Sequence, residues 1–483
     1  MVLSNIQSLT SYLPELMIVL LILAVFLYES IDKYRDLVFP ITCGGLIFVS
    51  ILLWFSNPSN NALFDGMIVN DSLSVYFKWI LLCSTLSIVV VSKKDNSILD
   101  FVKGEYFGML LIILLGMFAM VSANNLLMVY LAIEMVSIPS YIIAGISKND
   151  KESNEASLKY VIYGSFASGI MLFGLSLLYG VAGTTDINIL STQVSSFDSS
   201  FIIYLSMIFV IVGFGYKISM VPFHYWTPDV YQGAPIPVTA FLSVAPKAAG
   251  FAILIRFFYA IFVNNGAPVI EWTTFIAIFS ALTMTVGNVL ALKQNNIKRL
   301  LAYSSISHVG FMLIAFSIIS ADSIASILFY LFFYMFMNLS AFYMAIYMSN
   351  SYGANNIEDW NGIGHKVPVL SFFMVLSLAS LAGLPPTSGF VGKVYVLRNL
   401  FADEQFLWLG IIAIINTVIS LYYYFKIVKA MYFIEDDSLE AKPCSMYLYW
   451  IIIIFSTQNI IFYLYWPTLW NLLESIVKNM RII

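Results

Sequence analysis

Fourteen runs of apolar residues follow one another along this chain, each long enough to cross the roughly 30 Å of hydrocarbon in a bilayer as a helix. They fall near 13–31, 38–55, 72–92, 106–122, 126–146, 158–182, 201–221, 239–263, 272–292, 299–319, 323–349, 368–398, 405–428 and 447–468. The runs are continuous, so they do not fit the short alternating strands of a membrane barrel. Composition agrees: 60% of the 483 residues are hydrophobic, 10% are charged and mean hydropathy is +0.88. Soluble domains carry roughly 25% charged residues. The expected fold is an all-α polytopic membrane protein, one membrane domain over residues 1–483. The first run (Leu16–Leu27) lacks a basic stretch before it and reads as a span, not a cleaved signal.

Lys and Arg concentrate in loops that stay inside, so they test both the count and the orientation. With the N-terminus outside, fifteen of the 23 fall in or beside inner loops. Arg398, Lys478 and Arg481 fall at outer edges, while Lys78, Lys217, Lys247, Arg256 and Lys393 fall within spans. The bias predicts fourteen transmembrane helices with both termini outside. NNGAP (264–268) and the 183–200 segment then read as outer loops, and EDDSLEAKPC (435–444) as an inner one.

Several chemistries are disfavoured. Cys43, Cys83 and Cys444 stand alone with no CxxC, which argues against an iron–sulfur or zinc site. His224, His308 and His365 are isolated, which argues against a haem held by paired axial histidines. There is no Gly-rich nucleotide fingerprint. The net charge of -4 is scattered over short loops and gives no footprint for nucleic acid. The chain is expected to carry no redox cofactor and no metal of its own.

The charges inside spans are the candidates for function, because each costs at least a few kcal/mol there. Glu134 lies mid-span in LLMVYLAIEMVSIPSYIIAGI. Lys217 ends the apolar part of span seven, Lys247 sits in span eight, and Lys393 in span twelve. His308 lies mid-span in LAYSSISHVGFML. The structural alternative is a set of ion pairs that fix helix packing. Lysine suits proton work in particular, since desolvation and a nearby carboxylate pull its affinity for a proton in opposite directions. Arginine stays charged, so Arg256 reads as structural or as an electrostatic gate. Lys78, two turns from the outer edge, reads as a snorkelling side chain.

Proline marks two breaks. In GYKISMVPFHYWTPDVYQGAPIP (215–237), Pro222 follows Lys217 by five residues, and Pro385 and Pro386 precede Lys393 by eight and seven. Proline removes a helix hydrogen bond, and broken helices in membranes line hydrated cavities. The segment after Tyr225 reads either as a second half-helix or as a proline-rich loop. Spans seven and twelve both join a lysine to a proline break, five spans apart. Five is odd, so a repeat of that length would face the opposite way.

GYKISMVPFHYWTPDVYQGAPIPVTAFLSVAPKAA (215–249), KRLLAYSSISHVGF (298–311) and LAGLPPTSGFVGKVYVL (381–397) together resemble the subunit N family of the proton-pumping NADH–quinone oxidoreductases, complex I. The resemblance covers nearly the whole chain. It implies two inverted five-helix repeats, spans four to eight (106–263) and nine to thirteen (272–430), after a three-span segment (1–105) and before a last span (447–468). It implies broken helices in spans seven and twelve. It also implies half-channels from each side joined by a polar axis, with proton transfer through Glu134, Lys217, Lys247 and Lys393. His308, His224, Arg256 and Asp229 are supporting candidates. One departure is Ser340 in FMNLSAF, where relatives often have glycine, which bears on the packing of span eleven.

The resemblance further implies that NADH oxidation and quinone reduction occur in other subunits, which hold the FMN, the iron–sulfur clusters and the quinone. The expected partners are neighbouring antiporter-like and small membrane subunits and the lipid bilayer. The expected location is a bacterial inner membrane rather than a mitochondrial one. Three rivals from other classes are a subunit of a multi-subunit Na+/H+ antiporter, a membrane scaffold that pumps nothing, and a quinone-site enzyme, for which the sequence offers no clear headgroup ligand.

Overall fold

The computed structural model describes residues 5–56, 58, 61–196, 200–264, 266–402, 404–435 and 440–480. Arg481, residue 265 of the NNGAP loop, residues 197–199 of the 183–200 segment and residues 436–439 of the 435–444 loop lie outside them.

All fourteen predicted runs are helical. In chain order the α-helices are α1 (Asn5–Ser11), α2 (Leu13–Glu29), α3 (Val38–Phe55), α4 (Ser72–Ser92), α5 (Lys103–Ser122), α6 (Leu126–Ala144) and α7 (Lys151–Ala182). Then come α8 (Ile187–Ser196), α9 (Ser200–Ile218), α10 (Trp226–Gly233), α11 (Ile236–Phe262), α12 (Thr273–Leu292), α13 (Ile297–Phe316) and α14 (Ala321–Tyr352). The last are α15 (Ile363–Lys366), α16 (Pro368–Ala382), α17 (Ser388–Ala402), α18 (Leu407–Phe433), α19 (Met446–Leu464) and α20 (Trp466–Lys478). Among the described residues, twelve helices are long and apolar enough to cross a membrane. The two predicted runs outside that set are α2, of 17 residues, and the α16–α17 pair, of 15 residues each, interrupted at its centre. The 183–200 segment, read as a loop, contains α8.

Burial sorts the helices. Helix α11 is buried along its whole length, and α13 and α14 nearly so. A helix that is apolar all round belongs inside. Helices α3, α7, α18 and α19 present most of their surface outward. Polar side chains on α11, α13 and α14 therefore point at protein, whatever their direction. Ser340 on α14 fits there: its hydroxyl donates to Ser377 Oγ at 2.7 Å. The last helix, α20, is amphipathic and buries Trp470, Leu473 and Val477. Trp470 stacks on Tyr395, two residues beyond Lys393, at a centroid distance of 4.0 Å.

Two stretches of the backbone share helix lengths and contacts. Helices α7 and α14 each have 32 residues and end at left-handed glycines, Gly183 and Gly353. Helices α11 and α18 each have 27. Between them the chain makes the same knot twice. Leu126 N–H donates to Thr185 O (2.9 Å) and Ile187 N–H to Asn124 O (3.3 Å). Likewise Ile297 N–H donates to Asn355 O and Ile357 N–H to Asn295 O, both at 2.9 Å. Asn125 caps α6 and Asn296 caps α13 through their side-chain oxygens.

Candidate functional site, a buried row of unpaired lysines

Lys217, Lys247, His308 and Lys393 are each less than a tenth exposed. They sit on α9, α11, α13 and α17, which pack against one another in that order.

Lys217 lies one residue from the end of α9. The chain leaves the helix through Ser219, in the left-handed region (φ 66°). Side-chain hydrogen bonds help to hold this turn. Thr227 Oγ1 donates to Ser219 Oγ (2.8 Å), Val221 N–H to Thr283 Oγ1 (3.0 Å) and Trp226 Nε1 to Tyr216 O (3.1 Å). Pro222 stands in the turn, and α10 follows it. The break predicted in span seven is present, and a half-helix, not only a loop, follows Tyr225. The Lys217 ammonium donates to Ser137 Oγ at 3.1 Å. Ser137 lies one turn beyond Glu134 on α6. Glu134 is half-buried, and its Oε1 is buried without a hydrogen-bond partner. Among the described residues no ion pair joins Glu134 to Lys217, so the expected pair stands apart.

Lys247 follows Pro246 inside an unbroken α11. Its ammonium donates to Ser305 Oγ at 2.7 Å and lies 5.7 Å from the Tyr231 ring. Ser305 is one turn before His308 on α13. Both His308 nitrogens meet hydroxyls: Nδ1 is 2.7 Å from Tyr330 and Nε2 is 3.1 Å from Tyr424. The Tyr424 hydroxyl in turn contacts Ser304 Oγ.

The second break places Lys393. Helix α16 ends at Gly383 (φ 83°), and Pro385 and Pro386 lie in the gap before α17. The Lys393 ammonium donates to the carbonyls of Leu381 (3.2 Å) and Ala382 (2.8 Å). These are last-turn carbonyls, which have no helical partner and carry partial negative charge. Glycine is needed at 383 twice over. The backbone is left-handed, and a Cβ there would come within 2.7 Å of Lys393 Cδ.

Other in-span charges behave differently. Lys78 does not snorkel. It is buried and pairs with Glu15 of α2 at 2.6 Å, because an acid on a neighbouring helix meets it inside the bundle. Arg256 is buried against Asp71 (2.7 Å) and also donates to Val121 O (3.2 Å), tying α11 to α4 and α5. This is the structural half of the expectation for Arg256. His224 is buried in the first break, its Nδ1 without a partner, and no hydrogen bond joins it to the lysines among the described residues. Asp229 on α10 lies at the loop end, bridging Lys159 of α7 and Arg299 of α13, each at 2.6 Å. Burial pushes its carboxyl upward, but the hydrogen bonds from Lys159 and Arg299 prevail and hold it below the usual range.

The distinction is one of counter-ions. Lys78 and Arg256 are neutralised by carboxylates, as buried charges usually are. Lys217, Lys247 and Lys393 donate only to neutral oxygens among the described residues. Sequence reading missed those oxygens and the Tyr330 and Tyr424 hydroxyls. The available signal was helical spacing: Ser137 is i+3 from Glu134, and Ser305 is i−3 from His308.

Fold and site together define an antiporter-like, multi-pass membrane protein. The family model for the NADH:quinone oxidoreductase/Mrp antiporter transmembrane region matches residues 123–420. Subunit N of the NADH-quinone oxidoreductase of Anaeromyxobacter sp. (strain Fw109-5) is 37% identical, over 99% of this chain and 98% of its own length. A chain of respiratory complex I from Thermus thermophilus, solved with bound aureothin, is 27% identical with a TM-score of 0.81, covering 95% of this chain and 98% of that one. A chain of the Mrp complex from Dietzia sp. DQ12-45-1b shares the fold (TM-score 0.83, 19% identity, 98% and 97% covered). The chain belongs to the subunit N family of NADH-quinone oxidoreductases.

Proposed function

We propose that this chain translocates protons as a non-redox membrane subunit of NADH–quinone oxidoreductase. The observation that carries the reading is the row of buried lysines with no carboxylate at ion-pair distance among the described residues. A permanently charged lysine buried without a carboxylate is costly, whereas one that alternates between amine and ammonium is suited to loading and release. In this reading Lys217 moves between Ser137 and Glu134 as neighbouring subunits change the field around it. The proton then passes by Lys247 and Ser305 to His308 and on to Lys393, from which it leaves. These groups titrate as a set. The reading assigns no cofactor to this chain and leaves FMN, iron–sulfur clusters and quinone to partner subunits.

The reading also takes residues 106–263 and 272–430 as two five-helix units of opposite orientation, with fourteen spans and both termini outside. The two Asn-Asn knots and the paired helix lengths support it.

The test has two parts. The tagged chain is extracted gently from a bacterial inner membrane, and the eluate is assayed for NADH-driven quinone reduction with flavin and iron–sulfur signals. Co-purification is expected. Hydrophobic partners with no redox activity would point instead to a Na+/H+ antiporter. In the intact complex, Lys217→Ala is expected to cut the proton yield per NADH. An unchanged yield removes Lys217 from the path.

A further inference from the structure

Beside Lys393 lies a small, partly open void of about 10 Å³, lined by Asn288, Ser307, His308, Lys393, Asn416 and Tyr423 among others. A single water needs about that much room and two to four polar partners. The groups around the void fall into two kinds. On one side, the Lys393 ammonium has three hydrogens. Two go to the Leu381 and Ala382 carbonyls, and the described residues offer no oxygen for the third. His308 already has a hydroxyl on each nitrogen, the contact to Tyr424 being the longer at 3.1 Å.

On the other side stand two buried carboxamides. Asn288 Nδ2 donates to the side-chain oxygen (2.9 Å) and the carbonyl (3.1 Å) of Asn416. Asn416 Nδ2 donates to Thr285 Oγ1 (3.2 Å) and Ile412 O (3.0 Å). The Tyr423 hydroxyl donates to Asn288 Oδ1 at 2.9 Å. Every amide hydrogen is therefore engaged, while each carboxamide oxygen keeps one lone pair. The pair ties α12 to α18 and offers the void acceptors only, while Lys393 in its protonated form offers it a donor.

We propose that this void is a binding site for one water, and that Asn288 and Asn416 are positioning residues that orient it for proton transfer between His308 and Lys393. The inference rests on the proton-translocation reading. The step conserves protons. An N–H bond of protonated His308 breaks as an O–H bond forms on the water, the long Tyr424 contact giving way. An O–H bond of that water breaks as an N–H bond forms on the neutral Lys393 amine. The water is regenerated.

The experiment uses the whole complex in sealed vesicles and compares Asn288→Leu, Asn416→Leu, Asn416→Ser and Lys393→Ala. The leucine variants are expected to keep uncoupled NADH oxidation and to lose at least about tenfold in coupled turnover, since a positioned proton-transfer partner is worth roughly 10²-fold or more. Their solvent deuterium isotope effect should rise, and Asn416→Ser should restore most of the rate by keeping an acceptor. Native rates and isotope effects in both leucine variants, with Lys393→Ala impaired, overturn the water site alone. An unimpaired Lys393→Ala overturns the translocation reading beneath it. If the leucine variants do not assemble, a map of the native complex that resolves neighbouring ordered waters decides the matter. Density for a water in the void supports the site, and its absence refutes it.

Discussion

Arg256 gives the sharpest test of the rule that paired charges hold the fold and unpaired ones carry protons. Its guanidinium lies 2.7 Å from Asp71, and both side chains are buried. Asp71 has a second task, because its Oδ1 accepts from Ser74 N–H at 2.9 Å and caps α4. Arg256→Met removes the cation and leaves a buried carboxylate without its partner. Breaking a buried pair from one side costs about 3–5 kcal/mol. At about 1.4 kcal/mol per decade, the folding equilibrium constant falls by roughly two to three and a half decades. The double variant Arg256→Met with Asp71→Asn removes both charges and keeps a good capping residue, since Asn caps about as well as Asp. Replacing a whole buried pair by neutral groups is often close to neutral, so the double variant should recover most of the loss. The assay is the midpoint of denaturant-induced dissociation of the membrane complex, read beside the proton yield per NADH of the surviving fraction. The midpoint should drop in the single variant and return in the double, with the yield per NADH native in both. A single variant that is native in stability but deficient in yield would place Arg256 in the proton path and refute the reasoning.

Three further outcomes follow from the same geometry. Ser305→Ala deprives Lys247 of its hydrogen-bonding oxygen, a loss of about 1–3 kcal/mol for a buried donor; coupled turnover should fall while uncoupled NADH oxidation stays native, and equal loss in both assays would count against a proton role. Gly383→Ala forces a side chain into a left-handed position at a cost of about 1–2 kcal/mol and pushes on Lys393; assembly should survive and proton yield should drop, which vesicle acidification can read. Asp229 is held below the ordinary carboxylate range by Lys159 and Arg299, so its contribution to the α7–α10–α13 contact is present above the unfolded value near 3.8 and is lost as pH falls through the lower folded value; hydrogen exchange over 226–233 should rise in acid, and Asp229→Asn should remove that pH dependence.

What could be read from the letters follows a physical pattern. Helix positions were legible because a bilayer leaves little else for an apolar run to do. Glu134, Lys217, Lys247, His308 and Lys393 were legible because a titratable group inside such a run is expensive wherever it points. Lys78 has the same local signature, yet it was misread. Its partner Glu15 lies on another helix 63 residues earlier, and nothing in the neighbourhood of either residue records the meeting. The oxygens that hold the lysines were illegible for a related reason. Serine and tyrosine are common in spans and bond readily to their own helix, so only packing shows which of them turn towards an ammonium. Residue identity across the halves is low, but the turn residues match: Asn124-Asn125-Leu126 parallels Asn295-Asn296-Ile297, and Gly183 stands four residues before Ile187 as Gly353 does before Ile357. Those positions are fixed by capping and by the left-handed backbone, which tolerate few residue types, whereas the lipid-facing positions between them tolerate many.

The lysines thus divide by surroundings, not by type. Lys78 and Lys247 sit in equally apolar stretches, and the sequence separates them only by depth. The structure separates them by a single contact each, a carboxylate for one and a hydroxyl for the other. A carboxylate fixes the charge and makes the residue a bolt between helices. A hydroxyl can accept from an ammonium or donate to an amine, so it serves both protonation states with a small rotation. Ser137 and Ser305 present such hydroxyls to Lys217 and Lys247, each hydroxyl hydrogen resting on a carbonyl of its own helix, Ile133 O and Ala302 O, at 2.7 Å. At Lys393 the two partners are carbonyls, which can only accept. A lysine held that way needs a third partner able to both give and take a proton. The water proposed for the adjoining void meets that need, whereas the two carboxamides, whose amide hydrogens are all engaged, can only accept from it.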